Sequence, residues 1–198
     1  GGRGRRLGAA RPKQLLVVGG RPVLARSVAA FLAHPSVDEI VVALPEDLAL
    51  DPPAYLSGTS KPLRIVAGGP RRQDSVANAF RAVSDSAEII VVHDAARPFV
   101  SAELIGRTIA AAMEAGAAVA ALRARDTVKQ GDGGVVRATL PRDSIFLAQT
   151  PQAFRRGVLA DALAIGGQGV DATDEAALAE RAGHAVRLVE GEATNIKI

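Results

Sequence analysis

Five short aliphatic runs alternate with amphipathic helical patterns along most of the chain, and this alternation constrains the fold more than any other feature. The runs are Ile40–Leu44, Leu63–Val66, Glu88–Val92, Ala117–Leu122 and Ala185–Val189; the first three stop at Pro45, Gly68-Gly69 and His93-Asp94. A run that is apolar at successive positions has no face for water, so it reads as a strand covered on both sides, as in a parallel sheet. Between the runs, Pro22 falls in the first turn of a helix carrying Leu24, Val28, Phe31 and Leu32 on one side and stopping at His34-Pro35. Val76, Ala79, Phe80 and Val83 follow the i, i+3, i+4, i+7 spacing of a second helix. Ser101 N-caps a third, with Leu104, Ile105, Ile109 and Met113 inward and Gly116 at its end; Thr173 caps a fourth, with Asp174 and Glu175 in the first turn. The expected product is an α/β fold with a doubly wound, mostly parallel sheet, one domain over residues 1–198, binding ligands beyond the carboxyl ends of its strands.

One stretch breaks the alternation. From about 124 to 142, Lys129-Gln130-Gly131-Asp132-Gly133-Gly134 lies between two extended segments, which predicts a protruding β-hairpin arm. Such an arm either clasps a second subunit or is a plain surface hairpin.

Composition removes several classes of function. The chain has no cysteine, which excludes disulfides, thiolate catalysis and cysteine-based zinc sites and suits a cytoplasmic enzyme. No apolar stretch approaches the roughly 18 residues that span a bilayer, so no membrane segment is expected. A net charge of +3 and an aromatic content of 3% give neither the basic field nor the stacking platforms of a nucleic-acid binder.

Three segments carry chemistry. The chain opens on Gly1-Gly2-Arg3-Gly4-Arg5-Arg6, followed by Pro12-Lys13-Gln14. Glycines let backbone N–H groups converge on phosphate oxygens, and Arg6 and Lys13 add full charges to the same cradle; the bland alternative is a turn. No Gly-Lys-Ser/Thr follows, and the spacing of Gly2 and Gly4 does not suit a dinucleotide fingerprint, so the loop is neither a P-loop nor a Rossmann loop. Next, His93-Asp94-Ala95-Ala96-Arg97-Pro98 sits at the carboxyl end of the clearest strand, where Asp94 is a carboxylate suited to Mg²⁺ or, more plainly, to capping a turn. Last, Gly68-Gly69 precedes Arg71, Arg72, Asp74 and Ser75 at a helix start, a pattern for base or phosphate contacts in which Ser75 is otherwise a cap.

Together these segments resemble the 2-C-methyl-D-erythritol 4-phosphate cytidylyltransferases. The resemblance continues through Arg125-Asp126-Thr127-Val128-Lys129, Gln149-Thr150-Pro151-Gln152, Thr173-Asp174-Glu175-Ala176 and Asn195-Ile196-Lys197, in the family's order over essentially the whole chain. It implies a Rossmann-like nucleotidyltransferase fold that moves a cytidylyl group from CTP to methylerythritol phosphate in isoprenoid precursor synthesis and releases pyrophosphate. By the same resemblance, Arg6, Lys13 and Lys197 are the catalytic cations, and Gly2, Gly4, Gly69 and Ser75 contact CTP. Asp94 lies near Mg²⁺ or another divalent cation, while Arg97, Thr127, Arg142, Thr150 and Lys197 hold the methylerythritol phosphate. Thr127 and Arg142 stand on the arm and reach the neighbouring subunit's site, so a homodimer is implied.

Two departures from the family are expected to matter. Its members begin with a hydrophobic strand and two alanines ahead of the glycine loop, which reads here as a trimmed terminus, and they end with a further helix. The rival readings are a ribitol- or other polyol-phosphate cytidylyltransferase, a sugar-nucleotide pyrophosphorylase and a non-catalytic nucleotide-binding module. A phosphate monoester with a second pKa of about 6 is already an anionic nucleophile at neutral pH, so no general base is required. His34 and His184 accordingly read as a helix-end and a turn residue, and His93 as a support for the loop that bears Asp94.

Overall fold

The computed structural model describes residues 15–198. A β-hairpin of β1 (Val17–Val18) and β2 (Arg21–Pro22) turns on Gly19 and Gly20, whose φ values of 54° and 74° are the left-handed conformation that glycine adopts without strain. It leads into α1 (Val23–Ala33), which buries Val23, Leu24, Val28 and Phe31. Pro22 is the N-cap of this helix rather than a first-turn residue, because it still pairs with Val17 in the hairpin. Strands β3 (Ile40–Leu44) and β4 (Leu63–Ala67) form a parallel pair, with the short α2 (Glu46–Leu50) between them. Helix α3 (Arg72–Ala82) then returns the chain to β5 (Ile89–Val92).

The central sheet has the order β10-β6-β9-β5, built from β5, β6 (Ala117–Arg123), β9 (Phe146–Arg155) and β10 (Arg187–Glu190). Strands β5, β6 and β10 run one way and β9 runs against them, so the sheet is mostly parallel in direction with one antiparallel strand in its interior. Its two faces are both covered. Ala118, Ala120 and Ala153 face α4 (Ala102–Ala115), which buries Leu104, Ile105 and Ile109. Ala117 and Phe154 face α5 (Arg156–Gly167) and α6 (Glu175–Arg181), where Leu159, Ala162 and Leu178 complete a second core layer. The alternating faces of β6 explain why its sequence is apolar without a break.

Two local expectations are corrected. Met113 is 55% exposed, because the buried stripe of α4 continues through Ala111 and Ala112 and leaves Met113 beside it before Gly116 closes the helix at φ 91°. Thr173 is not the cap of α6: the Asp174 carboxylate accepts from the Ala177 N–H at 2.9 Å, one residue further on. Ser101, by contrast, caps α4 as its position implies, accepting from Leu104 N–H at 3.0 Å.

Strand β9 is the element the aliphatic pattern misses. It is ten residues long, yet its middle reads Gln149-Thr150-Pro151-Gln152. Against β6 its register jumps from Val119↔Gln152 to Ala121↔Ala148, so the polar segment forms a bulge. A bulge tolerates a proline and re-aims side chains, which is how polar residues sit inside a buried strand.

The arm is a hairpin of β7 (Val128–Asp132) and β8 (Val135–Leu140), which among the described residues pair with each other alone and turn on Gly133 and Gly134 at φ 57° and 80°. Most of its residues are exposed, including Val135 and Val136.

Candidate active site

The site gathers five chain segments at the end of β5. The 93–98 loop leaves that strand and is held in place by Ser27 of α1, whose hydroxyl donates to the Ala95 carbonyl at 2.8 Å. The β9 bulge supplies Gln149, Thr150 and Gln152; the N-termini of α3 and α6 supply Arg72 and Asp174; and the C-terminal segment supplies Asn195 and Lys197. Arg72, Asp94, Arg97, Gln149, Thr150, Gln152, Thr173, Asp174 and Lys197 line a cavity of about 220 Å³. A larger cavity of about 280 Å³ between α3 and α5 is lined instead by Gln73, Ala77, Phe80 and Leu163, with Asp74 and Arg81 as its charged residues.

Asp94 is the electrostatic centre. Its Oδ1 accepts from Arg72 Nε at 3.1 Å, its Oδ2 from Lys197 Nζ at 2.7 Å, and Arg97 Nε lies 3.9 Å away. Burial alone pushes such a carboxyl up, but Arg72 and Lys197 outweigh it and hold Asp94 at about 2. Arg72 in turn pairs through Nη1 with Glu175 Oε2. That Glu175 side chain is fully buried, and burial raises its carboxyl against the opposing pull of Arg72.

The loop is fixed by a hydrogen-bond chain whose proton positions follow from chemistry. A carbonyl only accepts, so His93 Nε2, 3.0 Å from the Arg97 oxygen, carries the proton. Nδ1 is then an acceptor for the Thr150 hydroxyl at 3.0 Å, and the Thr150 oxygen accepts from Asp94 N–H at 3.0 Å. Burial lowers His93 to about 4, so the imidazole stays neutral and rigid at physiological pH. Asn195 donates to the Thr150 carbonyl at 2.8 Å, and Arg97 Nη1 donates to the Asn195 carbonyl at 2.7 Å, which ties the C-terminal segment to the same loop. His34, the residue after α1, accepts from Ser36 N–H at 3.2 Å, and His184 pairs with Asp161 at 2.9 Å; neither lines the cavity.

Of the residues singled out in the sequence, Asp94, Arg97, Thr150 and Lys197 meet in this one cavity. Thr127 and Arg142 do not: both are exposed at the base of the arm, where Arg142 donates to the Arg125 carbonyl at 2.9 Å. Gly69 and Ser75 pack against each other beside the cavity, Gly69 N–H donating to Ser75 Oγ at 3.0 Å. A Cβ on Gly69 would stand 2.4 Å from Asp74 Cβ, so only glycine fits there. The helix-capping role falls to Asp74, which accepts from Arg71 N–H at 3.0 Å, while Ser75 closes the loop from inside. Gly2, Gly4, Arg6 and Lys13 lie outside the described residues.

Sequence reasoning placed Arg72 only within a helix-start pattern for base or phosphate contacts and not beside Asp94, read Glu175 only as a helix-start charge, and passed over Gln149 and Gln152 as site-builders. Gln149 accepts from Glu192 N–H at 3.2 Å, and Gln152 bridges α6 by accepting from Ala176 N–H at 3.1 Å and donating to Asp174 at 2.9 Å. A usable signal existed: two glutamines flanking Thr-Pro in a stretch long enough to be a strand need buried partners.

Among the described residues no group of three acidic or histidine side chains converges to cage a metal. Asp94, with Asp174 in the same cavity, fits the sparser pattern of Mg²⁺, which takes one or two carboxylates and completes its shell with phosphate oxygens and water.

Comparison with known proteins places the chain in a family. A family model described as IspD, 2-C-methyl-D-erythritol 4-phosphate cytidylyltransferase, matches residues 1–198. A bifunctional enzyme IspD/IspF of Anaeromyxobacter dehalogenans is 51% identical over 203 residues, covering 100% of this chain and 52% of that protein. A 2-C-methyl-D-erythritol 4-phosphate cytidylyltransferase of Geobacter metallireducens is 43% identical over 204 residues, covering 100% of the chain and 88% of its own length. The chain thus spans about half of the first relative and most of the second. The crystal structure of 2-C-methyl-D-erythritol 4-phosphate cytidylyltransferase from Thermus thermophilus superposes with a TM-score of 0.83 at 40% identity, over 94% of this chain and 87% of that one.

Proposed function

Because the chain belongs to the 2-C-methyl-D-erythritol 4-phosphate cytidylyltransferase family of nucleotidyltransferases, we infer that it transfers a cytidylyl group from CTP to 2-C-methyl-D-erythritol 4-phosphate. The observation that carries this reading is Asp94, kept ionised between Arg72 and Lys197 on the floor of a cavity shared with Arg97 and Thr150. Such a floor offers fixed positive charge for phosphates and one free-energy minimum for a carboxylate-bound cation.

A phosphate oxygen of methylerythritol phosphate attacks the α-phosphorus of CTP. The new P–O bond forms as the bond from the α-phosphorus to the bridging oxygen of the β-phosphate breaks, and pyrophosphate leaves with that electron pair. Arg6 and Lys13 stabilise the charge on the reacting phosphoryl group, and Gly2, Gly4, Gly69 and Ser75 shape the nucleotide cradle. Arg97, Thr150 and Lys197 hold the acceptor phosphate. Since the Thr150 hydroxyl donates to His93 and accepts from Asp94 N–H, Thr150 serves the acceptor by fixing the loop's position. Asp94 would hold Mg²⁺, which when bound neutralises phosphate charge. Positioning and charge neutralisation then carry the rate.

Thr127 and Arg142 lie on the exposed arm, so the reading pairs two copies, each arm completing the other's site. The cysteine-free composition favours a cytoplasmic setting, and among the described residues no helix is long and apolar enough to cross a membrane. The test is pyrophosphate release with Mg²⁺ across nucleotides and a panel of polyol and sugar phosphates. Release with CTP and methylerythritol phosphate alone supports the reading; release with ribitol phosphate, with UTP or GTP, or binding without release contradicts it.

A further inference from the structure

Glu175 is a fully buried charge to which the reaction above gives no task. It stands at the first position of α6, its Oε2 is bound to Arg72, and its Oε1 has no hydrogen-bond partner among the described residues. The two partners are far apart in sequence and join the starts of α3 and α6. A buried ion pair with one oxygen left bare is a poor device for stability, since apolar side chains of similar volume commonly do as well or better. Its geometry serves a different end.

Arg72 has two ends in use: Nη1 on Glu175 and Nε on Asp94. Its side chain is about one-third exposed and lines the cavity in which the acceptor phosphate is held in the proposed reaction. An arginine held only by Asp94 would be free to follow an incoming phosphate, leaving Asp94 with Lys197, whose side chain is 54% exposed and open to solvent. Resting on the proposed cytidylyl transfer, we propose that Glu175 is a positioning residue: it anchors the Arg72 guanidinium from the protein interior, so that Arg72 acts as a fixed orienter of Asp94 and not as a swinging phosphate clamp. Asp94 therefore has one immobile cation and one exchangeable cation, and only Lys197 changes partner as substrates arrive.

The experiment measures steady-state kinetics and the arginine Nε–H spectrum of Glu175→Gln. Glutamine keeps the shape and an acceptor oxygen but removes the charge. The expected result is a turnover loss of about 10-fold, with KM for CTP and for methylerythritol phosphate within about twofold of wild type, because the residue acts on orientation and not on binding. In an Arg72→Ala background the same substitution should cost nothing further, since Glu175 acts only through Arg72. In ¹H–¹⁵N spectra the Arg72 Nε–H, identified by its loss in Arg72→Lys, should be a resolved, slowly exchanging signal that merges with the free arginines in Glu175→Gln. An unchanged turnover, an undiminished loss in the Arg72→Ala background, or an unaltered Nε–H signal would overturn the proposal. The spectrum does not depend on the assigned reaction, and pyrophosphate release by the wild type tests that reaction separately. If Glu175→Gln does not fold, Glu175→Met with Arg72→Met decides: a folded protein with reduced turnover supports positioning, and near-native turnover refutes it.

Discussion

The cavity at the end of β5 and the β7–β8 arm are opposites in how they satisfy their own polar groups. At the cavity most of the polar groups find partners in distant parts of the chain, Asp94 in Arg72 and Lys197, Thr150 in His93 and Asp94, Arg97 in Asn195, while Glu175 Oε1 and Arg97 Nε have no hydrogen-bond partner among the described residues. On the arm, Thr127 and Arg142 face solvent, and Val135 and Val136 are each 59% exposed. One region is tied together by contacts between distant parts of the chain; the other makes its polar contacts within itself, Lys129 to Thr139 and Arg142 to Arg125, and leaves its apolar tip to solvent. The difference teaches that substitutions in the cavity should disturb both fold and turnover, whereas those on the arm should leave the isolated fold alone.

The largest effect falls on Asp94. Asp94→Asn removes the negative end of the Arg72 and Lys197 contacts, so turnover should fall on the order of 10²-fold or more, the scale of losing one preorganised charge, with a lowered melting temperature. Turnover assays paired with thermal melts check this; a loss of activity without any loss of stability would weaken the contrast drawn here.

His93 sharpens the cavity side of it. Its folded-state value, about 4, lies below the ordinary 6.5, so the unfolded chain binds more protons between these values. Stability tied to the neutral imidazole is complete above pH 6.5 and lost as pH falls toward 4, by about 3 kcal/mol for a shift of this size. Urea midpoints at pH 7 and pH 4 should therefore fall further for wild type than for His93→Gln, and equal slopes would remove the buried neutral imidazole from the account. The smallest effect belongs to the arm: Val136→Thr, at an exposed site, should move stability by no more than about 0.5 kcal/mol in urea titrations of dilute protein.

The parts of this molecule that were legible in the sequence are those in which one local rule acts alone. The aliphatic runs of β3, β4, β5 and β6 declared themselves, as did the Ser101 cap and the diglycine turn of the arm. Strand β9 did not, because its bulge obeys a rule of sheet irregularity and not of hydrophobic alternation, and its glutamines are buried by long-range partners. Asp94 could be singled out from its place after a strand. The Glu175–Arg72 pair could not, since nothing local ties the starts of α3 and α6 together. Met113 misled for the converse reason: the four-residue spacing from Ile109 carries it off the buried stripe, which Ala111 and Ala112 continue against the sheet.

The central claim, that a self-contained cavity is finished by a second copy's arm, is tested most directly by mixing two inactive proteins. Arg142→Ala and Lys13→Ala each lack one half of the proposed shared site. With subunit exchange verified, half of the dimers are mixed and each has one intact site, so activity should return to about a quarter of wild type. No recovery above the separate proteins would contradict the claim.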